Sequence, residues 1–158
     1  LHDALPILDM DKVMEIAKKY NLYVIEDATE ALGSKYKGKK LGTIGHMGAF
    51  SFNGNKLITT GAGGMLVTNS EEYGKRAKFL STQTKVVLEN KAFYHPEVGY
   101  NFRMPNLLAA FGVAQLENAD EYLKTKKKNA SYYNELLKDV KGITLPIQKE
   151  WADRKSVV

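Results

Sequence analysis

Asp9-Met10-Asp11-Lys12-Val13-Met14-Glu15-Ile16-Ala17-Lys18-Lys19-Tyr20, followed after Asn21 by Leu22-Tyr23-Val24-Ile25-Glu26-Asp27, is the stretch that decides the fold. Met10, Val13, Met14, Ile16 and Ala17 form one apolar stripe behind an aspartate cap, which predicts an amphipathic helix. The run that follows is β-rich and apolar without alternation, as in a strand buried on both faces of a parallel sheet. Helix followed by buried strand is the rhythm of an α/β protein. Downstream, residues 33–48 are rich in Gly and Lys and read as a small hairpin or loop. Ala49 to Phe52 reads as a strand, and the turn Asn53-Gly54-Asn55 leads to Lys56. Leu57 to Thr60 and Gly64 to Thr68 read as further short strands around Gly61-Ala62-Gly63, and Glu71 to Leu80 as a helix. Residues 85–98 show no clear period. After Met104-Pro105, with proline at a helix start, Leu107 to Leu116 is strongly apolar and helical, and Asp120 to Lys138 is a longer, more solvated helix. There is no internal repeat and no low-complexity linker.

With 158 residues, 44% hydrophobic and 26% charged, the chain has the profile of a soluble globular unit of about one domain. The absence of cysteine excludes a disulfide framework, a thiol nucleophile and cysteine-based zinc sites, and fits a cytoplasmic location. His2, His46 and His95 are too dispersed for a metal-ligand spacing, so no metal site is expected. No stretch is apolar enough to span a bilayer, and no basic region followed by an apolar one suggests a signal peptide. The net charge of +5 comes from 23 Lys+Arg against 18 Asp+Glu. The lysines concentrate at Lys124, Lys126, Lys127, Lys128 and Lys138 of one predicted helix, which favours a solvated face over a nucleic-acid surface.

Two phosphate motifs nearly match. Gly33-Ser34-Lys35-Tyr36-Lys37-Gly38-Lys39-Lys40 has a P-loop frame, but Lys40 stands where a hydroxyl must ligate magnesium, so a lysine-rich hairpin is expected instead. Gly61-Ala62-Gly63-Gly64-Met65-Leu66 begins like a dinucleotide fingerprint, yet Leu66 replaces the third glycine and a strand follows in place of a helix. A third constellation pairs Asp27, at the carboxyl end of a strand where ligands of open α/β sheets collect, with Lys56. Either the two form a structural ion pair, since a buried carboxylate needs a cationic partner, or they serve pyridoxal phosphate. In the second case Asp27 meets the protonated ring nitrogen, Lys56 forms the Schiff base and Ser51 binds the phosphate.

Four blocks then stand in a familiar order and spacing: Val24-Ile25-Glu26-Asp27-Ala28-Thr29-Glu30-Ala31-Leu32-Gly33, Phe50-Ser51-Phe52-Asn53-Gly54-Asn55-Lys56, Thr59-Thr60-Gly61-Ala62-Gly63-Gly64 and Gly99-Tyr100-Asn101-Phe102-Arg103-Met104. Together they resemble the DegT-type nucleotide-sugar aminotransferases, enzymes dependent on pyridoxal 5'-phosphate. The resemblance runs from about Asp9 to Trp151. It implies an α/β fold, part of the large domain of the aspartate-aminotransferase fold (fold type I), with a mostly parallel central sheet flanked by helices. It also implies that Lys56 is the Schiff-base lysine and proton shuttle, that Asp27 keeps the ring nitrogen charged, and that Ser51 contacts the phosphate. Glu30 stands near the ring hydroxyl, where many relatives have Gln or His, and points toward branches that aminate C4 of 4-keto-6-deoxy sugars. Asn101 matches a residue that reaches the cofactor of a neighbouring subunit, which implies a homodimer with shared active sites. Arg103 would meet an acidic group of the substrate. On their own residues, Asn101 and Arg103 could equally cap the following helix. Ala62 departs from the family's usual Glu.

The resemblance makes the chain a piece of a longer cytoplasmic enzyme. Residues 8–118 would be part of the cofactor-binding large domain and 119–153 a long helix with the start of the small C-terminal domain. Residues 1–7 and 154–158 match nothing and are expected to be non-native tails. The expected reaction transfers an amino group, with L-glutamate as donor, to a nucleotide-activated keto sugar in amino-sugar or surface-polysaccharide biosynthesis. The piece alone is expected to be inactive. The alternatives are a dehydratase or regulatory member of the same family, the former disfavoured because it carries His in place of Lys56, or a basic module that binds nucleic acid.

Overall fold

The computed structural model describes residues 8–90, 92–146 and 150–153. The expectations for residues 1–7 and 154–158, and for His2 among them, lie outside the described residues.

Helix α1 (Met10–Tyr20) begins as its sequence dictates, with the Asp9 carboxylate accepting the Lys12 N–H at 3.4 Å. It ends at Asn21, whose φ of 53° is left-handed. The Leu22 N–H reaches back to the Ala17 carbonyl at 2.8 Å, so the reversal satisfies carbonyls that would otherwise be orphaned. The chain then enters β1 (Ile25–Asp27). Strands β2 (Lys35–Tyr36) and β3 (Lys39–Lys40) form the expected lysine-rich hairpin, turning on Lys37 (φ 47°) and Gly38 (φ 81°). The Tyr36 hydroxyl donates to Asp9 at 2.6 Å, and Lys37 pairs with Asp11 at 2.6 Å, pinning the hairpin to the start of α1.

Strand β4 (Met47–Ser51) lies parallel to β1, with Asp27 opposite Ala49. It pairs antiparallel with β5 (Gly64–Val67), giving a central sheet in the order β1-β4-β5. Helix α2 (Glu71–Ser81) follows, capped by Ser70. Next come the short hairpin strands β6 (Val86–Val87) and β7 (Phe93–Tyr94), helix α3 (Asn106–Glu117) and helix α4 (Ala119–Leu137). Strand β8 (Ala152–Asp153) returns to pair with β2, and Asp153 bonds Lys127 of α4 at 2.6 Å. Lys124, Lys126 and Lys128 face solvent on α4, as the charge pattern requires.

Two readings need correction. Leu57 to Thr60 is not a strand: Leu57 and Ile58 are buried with Phe52 in the core, packed by Leu32, Phe50, Met104, Ala119 and Leu123. They are apolar because they anchor a loop. Thr60 N–H and the Thr59 hydroxyl both bond the Phe52 carbonyl, closing that loop on itself. Strand β1 is not buried on both faces, since it is an edge of the described sheet and Ile25 is 64% exposed. The described sheet is accordingly mixed, with one parallel and one antiparallel pairing. Residues 85–98 contain the β6–β7 hairpin, whose two-residue strands are too short to show a period.

Candidate active site

Asp27 ends β1 and Ser51 ends the parallel neighbour β4, so both stand at the carboxyl edge of the sheet. Beyond Ser51 the chain turns through Asn53-Gly54-Asn55, with the Lys56 N–H bonded to the Asn53 carbonyl at 3.1 Å. The buried pair Leu57-Ile58 fixes the far end of that turn. Lys56 is therefore held between a strand end and the core, and its side chain is only 14% exposed.

The Lys56 ammonium is bonded to the carboxylate of Glu30. The plain Asp27–Lys56 ion pair is thus not what the structure shows. Asp27 is bonded instead by Thr29, whose N–H lies 3.2 Å from Oδ1. The Thr29 side chain and then its N–H hold the Asp27 carboxyl below its ordinary pKa, outweighing the opposing effect of burial, with the nearby charge of Lys56 the smallest contribution. Asp27 is exposed, contrary to a buried strand end, because β1 is an edge. Oγ of Ser51 accepts the Asn53 N–H at 3.3 Å, which leaves its own proton to donate.

The neighbouring Glu26 is a feature that sequence reasoning missed. Its carboxylate accepts the backbone N–H groups of Gly42, Ile44 and Gly45, each at 2.6 Å, and ties the 42–45 loop to β1 beside the site. Gly48 lies opposite Glu26 in the sheet, and a Cβ there would overlap the Gly42 carbonyl. Thr29 was also missed, although its place two residues after an aspartate is the spacing of a local side-chain turn.

Asn101 and Arg103 stand on a different segment. Among the described residues neither side chain bonds Asp27, Ser51 or Lys56. Asn101 forms an antiparallel bridge with Thr82 just beyond α2. Neither residue caps α3: the capping position is Pro105, and no side chain bonds there. Arg103 lines a groove of about 1140 Å³ between β5, α2 and the 100–105 segment, and this groove does not include Asp27, Glu30, Ser51 or Lys56. The rings of Tyr100 and Phe102 stack 5.0 Å apart on the same segment. Among the described residues no cluster of three or more His, Asp or Glu could hold a metal, and no helix is long and apolar enough to cross a membrane.

Comparisons with known proteins agree with this frame. A GDP-perosamine synthase of Escherichia coli O157:H7 is 49% identical over 125 residues, 79% of this chain and 34% of that protein. The GDP-perosamine synthase of Caulobacter vibrioides is 45% identical over 131 residues, 83% of this chain and 35% of that protein. The chain thus spans about a third of the length of the curated relatives it matches. Among solved structures, Helicobacter pylori PseC, an aminotransferase involved in the biosynthesis of pseudoaminic acid, superposes with a TM-score of 0.87 at 29% identity. The match covers 94% of this chain and 40% of that one. The fold is therefore the expected one, a partial α/β large domain of the aspartate-aminotransferase type. The model of the DegT/DnrJ/EryC1/StrS aminotransferase family matches residues 5–158, and the chain belongs to that family.

Proposed function

We propose that the longer protein containing this chain transfers an amino group to a nucleotide-activated keto sugar, a 4-keto-6-deoxy hexose, with L-glutamate as donor and pyridoxal 5'-phosphate as cofactor. The observation that carries this reading is the placement of Asp27, Ser51 and the Glu30-bound Lys56 together at the carboxyl edge of β1 and β4. The donor set fits the cofactor: a carboxylate held ionised for a ring nitrogen, a hydroxyl with a free proton for a phosphate, and a shielded amine for an aldehyde. When bound, the cofactor supplies an aldehyde that condenses with amines and a ring that accepts electrons.

Lys56 Nζ would be the amine that holds the cofactor and the base that moves a proton once substrate is bound. Asp27 would keep the ring nitrogen protonated, and Ser51 Oγ would donate to the phosphate. Glu30, bonded to Lys56 Nζ, would orient that amine and stand near the ring hydroxyl. Asn101 serves the cofactor of a second copy in a homodimer with shared sites, and Arg103 meets an acidic group of a substrate. Residues 8–118 belong to the large domain and 119–153 lead into a small one. The enzyme works in the cytoplasm in amino-sugar biosynthesis, and residues 1–158 alone are inactive.

The test is a visible spectrum and an amination assay on the purified full-length protein. The wild type shows a cofactor absorbance band and forms an amino sugar, whereas Lys56→Ala loses both. Turnover by Lys56→Ala would overturn the assignment. A colourless wild type that binds nucleic acid with a steep salt dependence would favour the rival basic module.

A further inference from the structure

We propose that Arg76 and Glu97 are positioning residues for the Asn101–Arg103 segment, clamping the return leg of the β6–β7 hairpin onto α2. Arg76 lies within α2, and its guanidinium meets the Glu97 carboxylate through both terminal nitrogens, Nη1 to Oε1 and Nη2 to Oε2, the latter at 2.7 Å. This paired geometry fixes direction as well as distance, which a single contact does not. Each partner supports the charge of the other, with Glu97 held below and Arg76 above its ordinary pKa.

Glu97 is gripped a second time through its backbone. The Thr84 hydroxyl lies 2.6 Å from the Glu97 carbonyl, and Thr84 is fully buried. Gln83 and Thr84 both adopt left-handed backbone, with φ of 64° and 52°. Such conformations are unfavourable for residues other than glycine and persist only where the surroundings over-determine them. Here the surroundings are the two legs themselves. Gln83 N–H bonds the Tyr100 carbonyl at 3.0 Å, while Tyr100 N–H bonds Leu80 at 2.7 Å and Phe102 N–H bonds Ser81 at 3.0 Å. A Cβ on Gly99 would stand 2.5 Å from the Gln83 carbonyl carbon, so the legs cross at backbone contact. Residues 97–103 are thereby registered against the end of α2. Arg76–Glu97 is the side-chain tie that sets where the leg begins.

This inference rests on the proposed role of Asn101 at a cofactor, and its test separates the two. In the full-length protein, Arg76→Ala and Glu97→Ala are compared with the charge-swapped double variant Arg76→Glu/Glu97→Arg. Amide hydrogen exchange of Tyr100 and Phe102 is read without cofactor, and the dissociation constant for pyridoxal phosphate by absorbance. The single variants are expected to exchange about fivefold faster and to bind pyridoxal phosphate about fivefold more weakly. The absorbance maximum stays at its wild-type value, the melting temperature falls by no more than about 4 °C, and the swapped pair restores both lost properties. Unchanged exchange in the single variants, or no restoration by the swap, overturns the clamp. Faster exchange that the swap reverses, with cofactor affinity unmoved, upholds the clamp and counts against the reading of Asn101.

Discussion

Lys56 Nζ is bonded to Oε1 of Glu30, 26 residues earlier in the chain, across an interface of unequal exposure: the lysine side chain is 14% exposed and the glutamate 70%. The amine is thus fixed from the protein side by the Asn53–Lys56 turn and the Leu57-Ile58 anchor, and from the solvent side by a single carboxylate.

That asymmetry separates stability from chemistry at Glu30. An ion pair whose carboxylate is 70% exposed contributes about 1 kcal/mol, so Glu30→Ala in the full-length protein should melt within about 4 °C of wild type. The turnover number should fall by at least about tenfold, because the amine loses the group that orients it. A large drop in melting temperature with unchanged turnover would make the pair structural.

Glu26 should behave in the opposite way. Its carboxylate satisfies the N–H groups of Gly42, Ile44 and Gly45, and an amide offers only one acceptor oxygen for the three. Glu26→Gln should therefore cost about 2–4 kcal/mol, the range for losing charge-assisted bonds to partly buried donors. Urea unfolding with an unchanged m-value checks this; a loss under about 0.5 kcal/mol would show that the loop holds without the clamp.

Two glycines of the same region make a matched pair. At Gly48 a methyl would strike the backbone carbonyl of Gly42, which cannot move without breaking the Glu26 clamp. Gly48→Ala should cost about 3 kcal/mol or more. At Gly38 nothing lies within 4 Å of an added Cβ, and only the positive φ of 81° opposes it. Gly38→Ala should cost about 1 kcal/mol. Equal losses in thermal unfolding would mean that backbone conformation, not contact, sets both.

The sequence made legible what depends on local chemistry. Asp9 capping α1 and the lysine-rich hairpin of β2 and β3 each follow from residues that act within a few positions of themselves. The positions of Asp27 and Ser51 were legible for the same reason, since each ends a short strand, and Lys56 lies in the turn just beyond the second. What stayed hidden requires partners distant in sequence. Glu26 looks like any strand carboxylate until the fold brings residues 42–45 to it. Leu57-Ile58 looks like a strand until Met104 and Leu123 arrive to make it a core. The bond from Lys56 to Glu30 in place of Asp27 also depends on side-chain reach across two loops, which spacing does not encode.

The acid behaviour of Asp27 has a definite sign. Thr29, first through its side chain and then through its N–H, and next the charge of Lys56 lower the folded pKa of Asp27 below its unfolded value of about 3.9. A depressed carboxyl stabilises the fold above the unfolded pKa, and that contribution is lost as pH falls through the folded one. On cofactor-free full-length protein, wild type should therefore be more stable than Asp27→Asn at neutral pH. The difference should stay constant down to about pH 4 and shrink below it. Because Asp27 is exposed, solvent keeps the difference small, so it must be read as wild type minus variant across a pH series of urea transitions, where other carboxylates cancel. Removing the Thr29 hydroxyl with Thr29→Val should close part of the same gap in the same pH window, since that side chain is the largest cause of the depression. A gap that widens on acidification would mean that burial outweighs Thr29 and raises the pKa of Asp27, and that Asp27 does not remain ionised to hold a positive ring nitrogen.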